Sequence, residues 1–410
     1  MAWMLFREPR DIGQKLLALY FALTLFNNPC FQIWGASLGD IFGVISAVVL
    51  ILRVFMCPQR QFRLTEIAGL FLICAGTFAV HAFIIYLLYP NLNEGMIGVV
   101  RFILIAKVAV LGLNVLLFRK VFNELDDIDW LLNQIVNFAV VALICYFIQI
   151  GICFTGQLPY GTYIDAGFTG LPSFGSVSIE RGHLGKFLTP LFPIFLLVWL
   201  RHRRKWPFIV FCIVSIINLS ASSLFYFTCY ALMTLWIFRR KLFNLQGLLW
   251  VSIVLTAIIS VTITFYGAFA GVALKIIDLG IKGNDEGGRG IGLLFNYLSH
   301  YPLGISYGGS TLRTGPGLDE INSGIFAFIT QFSFFSIPLI CLMIFIGGRI
   351  AQRSRYIITP YFRSILIMGS VMLPVIFSAD LLWFVPTIWL PVILCEQMSF
   401  MQRIKPFIGF

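Results

Sequence analysis

Apolar runs of helical-span length recur along this chain from one end to the other, at 15–34, 38–57, 66–89, 97–118, 131–154, 184–200, 207–221, 223–238, 247–267, 321–347, 362–378 and 381–398. A run of about 20 apolar residues in a helix spans the hydrocarbon core of a bilayer. Within lipid every backbone N–H and C=O must find its partner inside the protein, which leaves only helices and closed barrels. A barrel strand alternates in and out over about ten residues, and no such alternation is visible. The expectation is an all-α, polytopic membrane bundle of about 12 transmembrane helices forming one integral domain over 1–410. Composition agrees: 59% of the 410 residues are hydrophobic, 11% are charged and 42 are Phe, more apolar surface than a soluble core needs.

Charge orients the bundle. With the N-terminus inside and the spans alternating, the inner side receives the lead 1–15, 58–65, 119–130, 201–206, 239–246, 348–361 and the tail. That side holds 21 of the 29 basic residues with 8 acids, a balance of +13. The remaining 8 basic and 10 acidic residues balance at −2, which together reproduce the net charge of +11. Every inner connection carries at least two Lys or Arg, the positive-inside pattern. The basic excess therefore reports topology, and a nucleic-acid surface is excluded. Both termini are expected in the cytoplasm, and Met1 to Lys15 reads as an uncleaved lead, since no small-residue cleavage site follows.

The stretch 207–238 needs an even number of crossings, because basic clusters flank it at both ends (Arg201 to Lys205; Arg239 to Lys241). Two short helices turning at Asn218-Leu-Ser-Ala-Ser-Ser223 satisfy that requirement. Two outer loops are long, 154–182 and 268–320, and are expected to contain short helices of their own. The second includes an amphipathic piece, Ile291 to His300. The nine Cys lie in or beside apolar segments with no C-x-x-C pair, so neither a disulfide scaffold nor a Cys-based metal site is expected. No phosphate-binding loop, dinucleotide fingerprint or metal-ligand spacing is present, and no cofactor is expected.

The informative cations are those the topology does not require: Arg101, Lys107, Arg181, Lys186, Lys275, Lys282, Arg289 and Arg313. A charge at mid-span, as at Lys107, costs about 2.5–3.5 kcal/mol on insertion scales and should face protein. Its plain reading is an ion pair that serves cohesion. Arg181 and Lys186 open a span beside Glu180 and His183, where headgroup anchoring competes with ligand binding. Arg289 lies between glycines, which let backbone approach an anion closely. Asp40 and Asp380 border outer turns and read as helix caps. His183 and His300 read first as structural. Several fixed guanidinium groups around an outer-facing site suit a phosphate.

Four segments resemble the O-antigen polymerase (Wzy) and O-antigen ligase superfamily of bacterial inner-membrane proteins. They are Ser178-Ile-Glu-Arg-Gly-His-Leu-Gly185, the paired short spans around Asn218 to Ser223, Gly288-Arg-Gly290 followed by His300-Tyr-Pro-Leu-Gly-Ile-Ser-Tyr-Gly308, and Asp319-Glu-Ile-Asn-Ser-Gly-Ile325. They cover about residues 170–350. Two departures stand out: the second segment lacks the family's Arg, and Ile321-Asn322 replaces the His-containing pair of the ligases, which favours a polymerase. The resemblance implies a metal-independent glycosyltransferase that joins undecaprenyl-diphosphate-linked oligosaccharides, as donor and acceptor, on the periplasmic side. It would work alongside a flippase and a chain-length regulator. It assigns Arg181 and Arg289 to the departing diphosphate, with Lys186, Arg313 and Arg101 assisting. Glu180, Asp319, Glu320 and His183 become candidates for the general base, and Tyr163 and its aromatic neighbours for sugar stacking. A ligase-type transferase and a polysaccharide flippase or other transporter remain the alternatives.

Overall fold

The structure, a computed structural model, describes residues 8–26, 32–33, 36–56, 64–89, 96–159, 162–164, 172–178, 181–218, 220–242, 270, 291–306, 324–357, 359–379 and 385–404. The regular structure of the described residues is helical apart from two short ribbons. Seven helical stretches among the described residues are long and apolar enough to cross a membrane, and Ile12–Leu23 and Lys205–Ile217 are shorter apolar helices. The chain is thus a helical membrane protein. The expected run 247–267 lies outside the described residues.

The first helix, α1 (Ile12–Leu23), starts where the Asp11 carboxylate accepts from Gly13 N at 2.7 Å, and Gly13 to Leu23 are all buried. Its 12 residues extend about 18 Å, short of the hydrocarbon core. The single span expected over 15–34 is therefore corrected. The Thr24 hydroxyl turns back to Phe21 O at 2.8 Å, and the chain continues as an antiparallel ribbon, β1 (Gln32–Ile33) with β2 (Ala36–Ser37). Thr24, Leu25 and Phe26, just past the helix, are buried.

Ser37 and Asp40 then start α2 (Leu38–Met56) with a capping box: Ser37 N donates to Asp40 Oδ2 at 3.0 Å, and Asp40 N to Ser37 Oγ at 3.2 Å. Thr65 caps α3 (Glu66–Leu88), accepting from Ala68 N at 3.0 Å. Next come α4 (Met96–Val121) and α5 (Leu125–Cys153), the latter opened by a Glu124/Asp127 capping box. In the loop that follows, the described residues form a second ribbon, β3 (Thr162–Ile164) against β4 (Pro172–Phe174), where short helices were expected. Thr, Tyr and Ile alternate there with a Pro edge, a pattern of strands.

The next span is interrupted. It runs as α6 (Arg181–Leu188), a 3₁₀ turn at Thr189–Leu191 containing Pro190, and α7 (Phe192–His202). Of the residues in its most apolar window 78% are buried, against 28–44% for the other six spans. This span is therefore ringed by protein while the others face lipid on one side. Helix α8 (Lys205–Ile217), 13 residues long, and α9 (Ala221–Leu242), 22 residues long where a second short helix was expected, follow, then α10 (Ile291–His300). A second interrupted span, α11 (Gly324–Phe332) and α12 (Ser336–Ser354), breaks at Ser333, whose φ is 48°. Helices α13 (Pro360–Ala379) and α14 (Pro386–Ile404) complete the bundle.

One end of the bundle is ionic. Arg10 pairs with Asp127, Arg53 with Asp11 at 2.8 Å, Arg201 with Asp129 at 2.8 Å, and Arg349 and Arg353 both with Glu66 at 3.2 and 2.7 Å. The Glu396 carboxylate accepts from Glu66 N at 2.8 Å, and Arg119 lies over the Phe400 ring. The basic residues of alternate connections thus meet at one end, as the charge pattern requires. Lys15, counted with them, is buried within α1.

Candidate functional site

The opposite end, about 30 Å along the span from Arg201, brings together the first two of the sequence segments singled out above. The chain re-enters the bundle at Gly175–Ser178, all buried. Ser176, at φ 52°, donates from its N to Gln149 Oε1 at 2.7 Å and from its hydroxyl to Ala142 O at 2.5 Å. Gln149 Nε2 returns a bond to Ser176 O at 3.2 Å, and the Ser178 hydroxyl donates to Leu25 O, just past α1, at 3.2 Å. A single glutamine deep in α5 thus satisfies both backbone groups of a turn with no helix to do so.

That anchored turn leads to α6. Arg181 is 7% exposed. Lys186 and His183 are half-buried on the same helix, where His183 stacks on Phe187 one turn on, at 6.5 Å and 20°. The turn between α8 and α9 is seated against this helix. Asn218 Nδ2 donates to Arg181 O at 2.9 Å, and the Ser223 and Thr189 hydroxyls lie 2.9 Å apart. Gly185 permits the approach: a Cβ there would stand 2.6 Å from Ser223 Cβ. Two segments distant in sequence, Arg181–Gly185 and Asn218–Ser223, thereby form one seat.

A second seat lies under α10. Leu294 and Tyr297 of α10 are buried, and Tyr297 packs in a small cluster with Ile85, Ile305 and Ala327. The amphipathic piece lies against protein along its apolar stripe. Beyond it Ile305 N and Ser306 N donate to Thr330 O and Gln331 O at 3.2 and 2.9 Å, among the last carbonyls of α11. Gly304 has φ +89°, and a Cβ there would stand 2.4 Å from Gln331 O, so Gly is the residue that fits. His81, buried in α3 between Phe332 and Phe335, donates through Nε2 to Leu303 O at 2.8 Å. The Pro-Leu-Gly run of the sequence thus closes the open end of a broken helix.

The sequence-derived candidates divide accordingly. Arg181, Lys186 and His183 share α6. Arg101 lies on α4 and Tyr163 on β3. Glu180, Arg289, Arg313, Asp319, Glu320 and the turn residue Asp380 lie outside the described residues. Lys107 pairs with Asp40 at 2.8 Å, so one carboxylate serves both the α2 capping box and the mid-span cation. His300, at the end of α10, hydrogen-bonds Asn296 O at 2.9 Å. Among the described residues no group of three or more His, Cys, Asp or Glu could hold a metal ion. Sequence reasoning passed over Gln149 and His81, and read Asn218 only as part of a turn. Gln149 and His81 each stand inside an apolar run, which is itself a signal, because an uncompensated polar group in a span is costly.

Compared with known proteins, the chain matches no family model, no curated protein and no solved structure.

Proposed function

We propose that this chain is a bacterial inner-membrane polysaccharide polymerase, a glycosyltransferase that joins undecaprenyl-diphosphate-linked repeat units on the periplasmic side of the membrane. The observation that carries the reading is the seat of Arg181. A buried guanidinium opens the most enclosed span of the bundle, at the end away from the ionic cluster, held by one docked turn on each side. Placing the ionic end in the cytoplasm by the positive-inside rule puts this seat on the periplasmic side.

In the reaction, a hydroxyl oxygen of the incoming repeat unit bonds to the anomeric carbon of the growing chain. The bond from that carbon to the phosphate oxygen breaks, and undecaprenyl diphosphate leaves with the electron pair. The hydroxyl proton passes to a base. Arg181 faces the departing diphosphate, joined by Arg289, with Lys186, Arg313 and Arg101 assisting. A fixed donor aimed at developing negative charge contributes about 2.7–4 kcal/mol in enzymes of other classes, a factor of about 10²–10³ in rate. In a site screened from water the same charge acts more strongly than in solution. The base comes from Glu180, Asp319, Glu320 or His183, and the loop aromatics, Tyr163 among them, face sugar. No bound metal is required by this scheme, since arginine supplies the positive charge.

A polysaccharide flippase is the second reading. It is favoured by the two interrupted spans, α6–α7 and α11–α12, since discontinuous helices serve transporter sites as well. The surface glycan of a deletion strain separates the readings. Chains one repeat unit long support the polymerase. Full chains left on the lipid carrier point to a ligase, and repeats accumulated on the cytoplasmic side to a flippase.

A further inference from the structure

The turn between α8 and α9 holds a group that the scheme above does not use. Asn218 is 4% exposed, and its Nδ2 donates to Arg181 O at 2.9 Å. A backbone carbonyl only accepts, so this bond fixes the amide with nitrogen toward Arg181 and oxygen away from it. Oδ1 is buried and has no hydrogen-bond partner among the described residues. Buried acceptors left in this state are rare in folded proteins and call for an explanation. Gly185 beside it has no side chain: a Cβ there would stand 3.2 Å from Nδ2, so the wall between Asn218 and α6 is as thin as a wall can be.

The chemistry of the missing partner is narrow. A carbonyl oxygen repels phosphate oxygens and accepts from an N–H or O–H donor, of which a carbohydrate offers neutral hydroxyls. Arg181, whose carbonyl this same amide holds, is the residue proposed to face an anion. A ligand that offers a neutral hydroxyl one residue's reach from an anionic oxygen is a sugar phosphate. We infer that Asn218 Oδ1 receives a hydroxyl of the sugar attached directly to the diphosphate, so that Asn218 and Arg181 read a glycosyl diphosphate as one unit. This rests on the polymerase reading in one respect, the placing of the diphosphate at Arg181. Its new content is the sugar-reading residue and the recognition of the linkage sugar itself.

The test measures affinity for two probes with the full chain in lipid nanodiscs. One is undecaprenyl diphosphate. The other is the lipid-linked repeat unit extracted from a strain lacking this chain. Wild type should bind the repeat unit more tightly. Asn218→Ala should weaken the repeat unit about three- to tenfold, the worth of one neutral hydrogen bond, and leave bare undecaprenyl diphosphate unchanged. Arg181→Ala should weaken both. Arg53→Ala, which breaks a partly exposed pair at the ionic end, should change neither. Should Asn218→Ala fail to reach the membrane, Asn218→Thr carries the same two expectations. Equal loss for both probes would show that Asn218 acts only by holding the Arg181 backbone, and overturns the sugar assignment, as does no loss for either. If wild type binds neither probe, the polymerase reading falls first and this inference with it, an outcome visible before any substitution is made.

Discussion

The two long loops each send a short segment back into the bundle, and the two segments are held by different means. The first, Gly175–Ser178, is held by side chains: Gln149 brackets Ser176, and two serine hydroxyls reach carbonyls of α5 and of a residue just past α1. The second, Leu303–Ser306, is held mainly by backbone, lying along the last carbonyls of α11, with His81 as its side-chain contact among the hydrogen bonds described. Side-chain anchoring frees the chain to enter a helix at once, and that helix begins with Arg181. Backbone anchoring consumes the open end of a helix and delivers cohesion. On the proposed function, the first seat carries the ligand chemistry and the second serves as scaffold.

Substitutions break or sharpen that contrast. The largest effect is expected at Arg181→Ala: polymer synthesis falls by about a hundredfold or more while the amount of protein in the membrane is unchanged, read from glycan ladders and quantitative blots of the same cells. Arg181→Lys restores only part of it, because an ammonium lacks the planar fork. Polymer of full length from Arg181→Ala would remove this residue from the reaction. Gly304→Ala tests the second seat. An alanine at φ +89° is strained by about 1–3 kcal/mol, and its Cβ would meet Gln331 O, so the thermal unfolding midpoint in detergent should drop by several degrees. The scaffolding assignment fails if stability holds while synthesis stops.

Gln149→Ala leaves the Ser176 N–H without its partner in a place water does not reach, at a cost of about 1–3 kcal/mol. Activity should fall with it, because the turn it steadies leads to Arg181. The smallest effect belongs to the ionic end. Arg53→Ala removes a partly exposed pair with Asp11, worth about 0.2–1 kcal/mol and less at high salt. A drop in stability as large as that of Gln149→Ala would mean that the ionic end is more than an orienting device.

Much of this was legible in the residues. The same-side clusters Arg201–Lys205 and Arg239–Lys241 forced two crossings, and α8 and α9 turn at Asn218, within the polar knot. The amphipathic spacing from Ile291 to His300 marks α10 to the residue. Asp40 reads as a cap from its place before an apolar run, and it caps. What hydropathy could not show is where a helix stops within an apolar run. The run 15–34 looks like one span, yet α1 ends at Leu23 and a ribbon follows. The loop 154–182 gave no sign that Gly175–Ser178 would be buried, because its polar serines find their partners on α5 and just past α1, at positions no local pattern connects. Gln149 and His81 show the converse: a lone polar side chain in an apolar run marks where another segment arrives.

Helix α1 carries a consequence for how the protein is made. It is the first of the described helices to leave the ribosome, too short to span a bilayer alone, and it contains Gln14 and Lys15 among its buried residues. Gln14 Nε2 donates to Val121 O at 2.6 Å, at the end of α4, and α1 also packs against α5 and α14. Gln397 of α14 in turn donates to Phe122 O, one residue further along. The first of the described helices is thus completed by the last of them, more than 360 residues later. Until α14 is made, α1 lacks one of its packing partners, so a chain cut short before Pro386 is expected to accumulate to a lower level in the membrane.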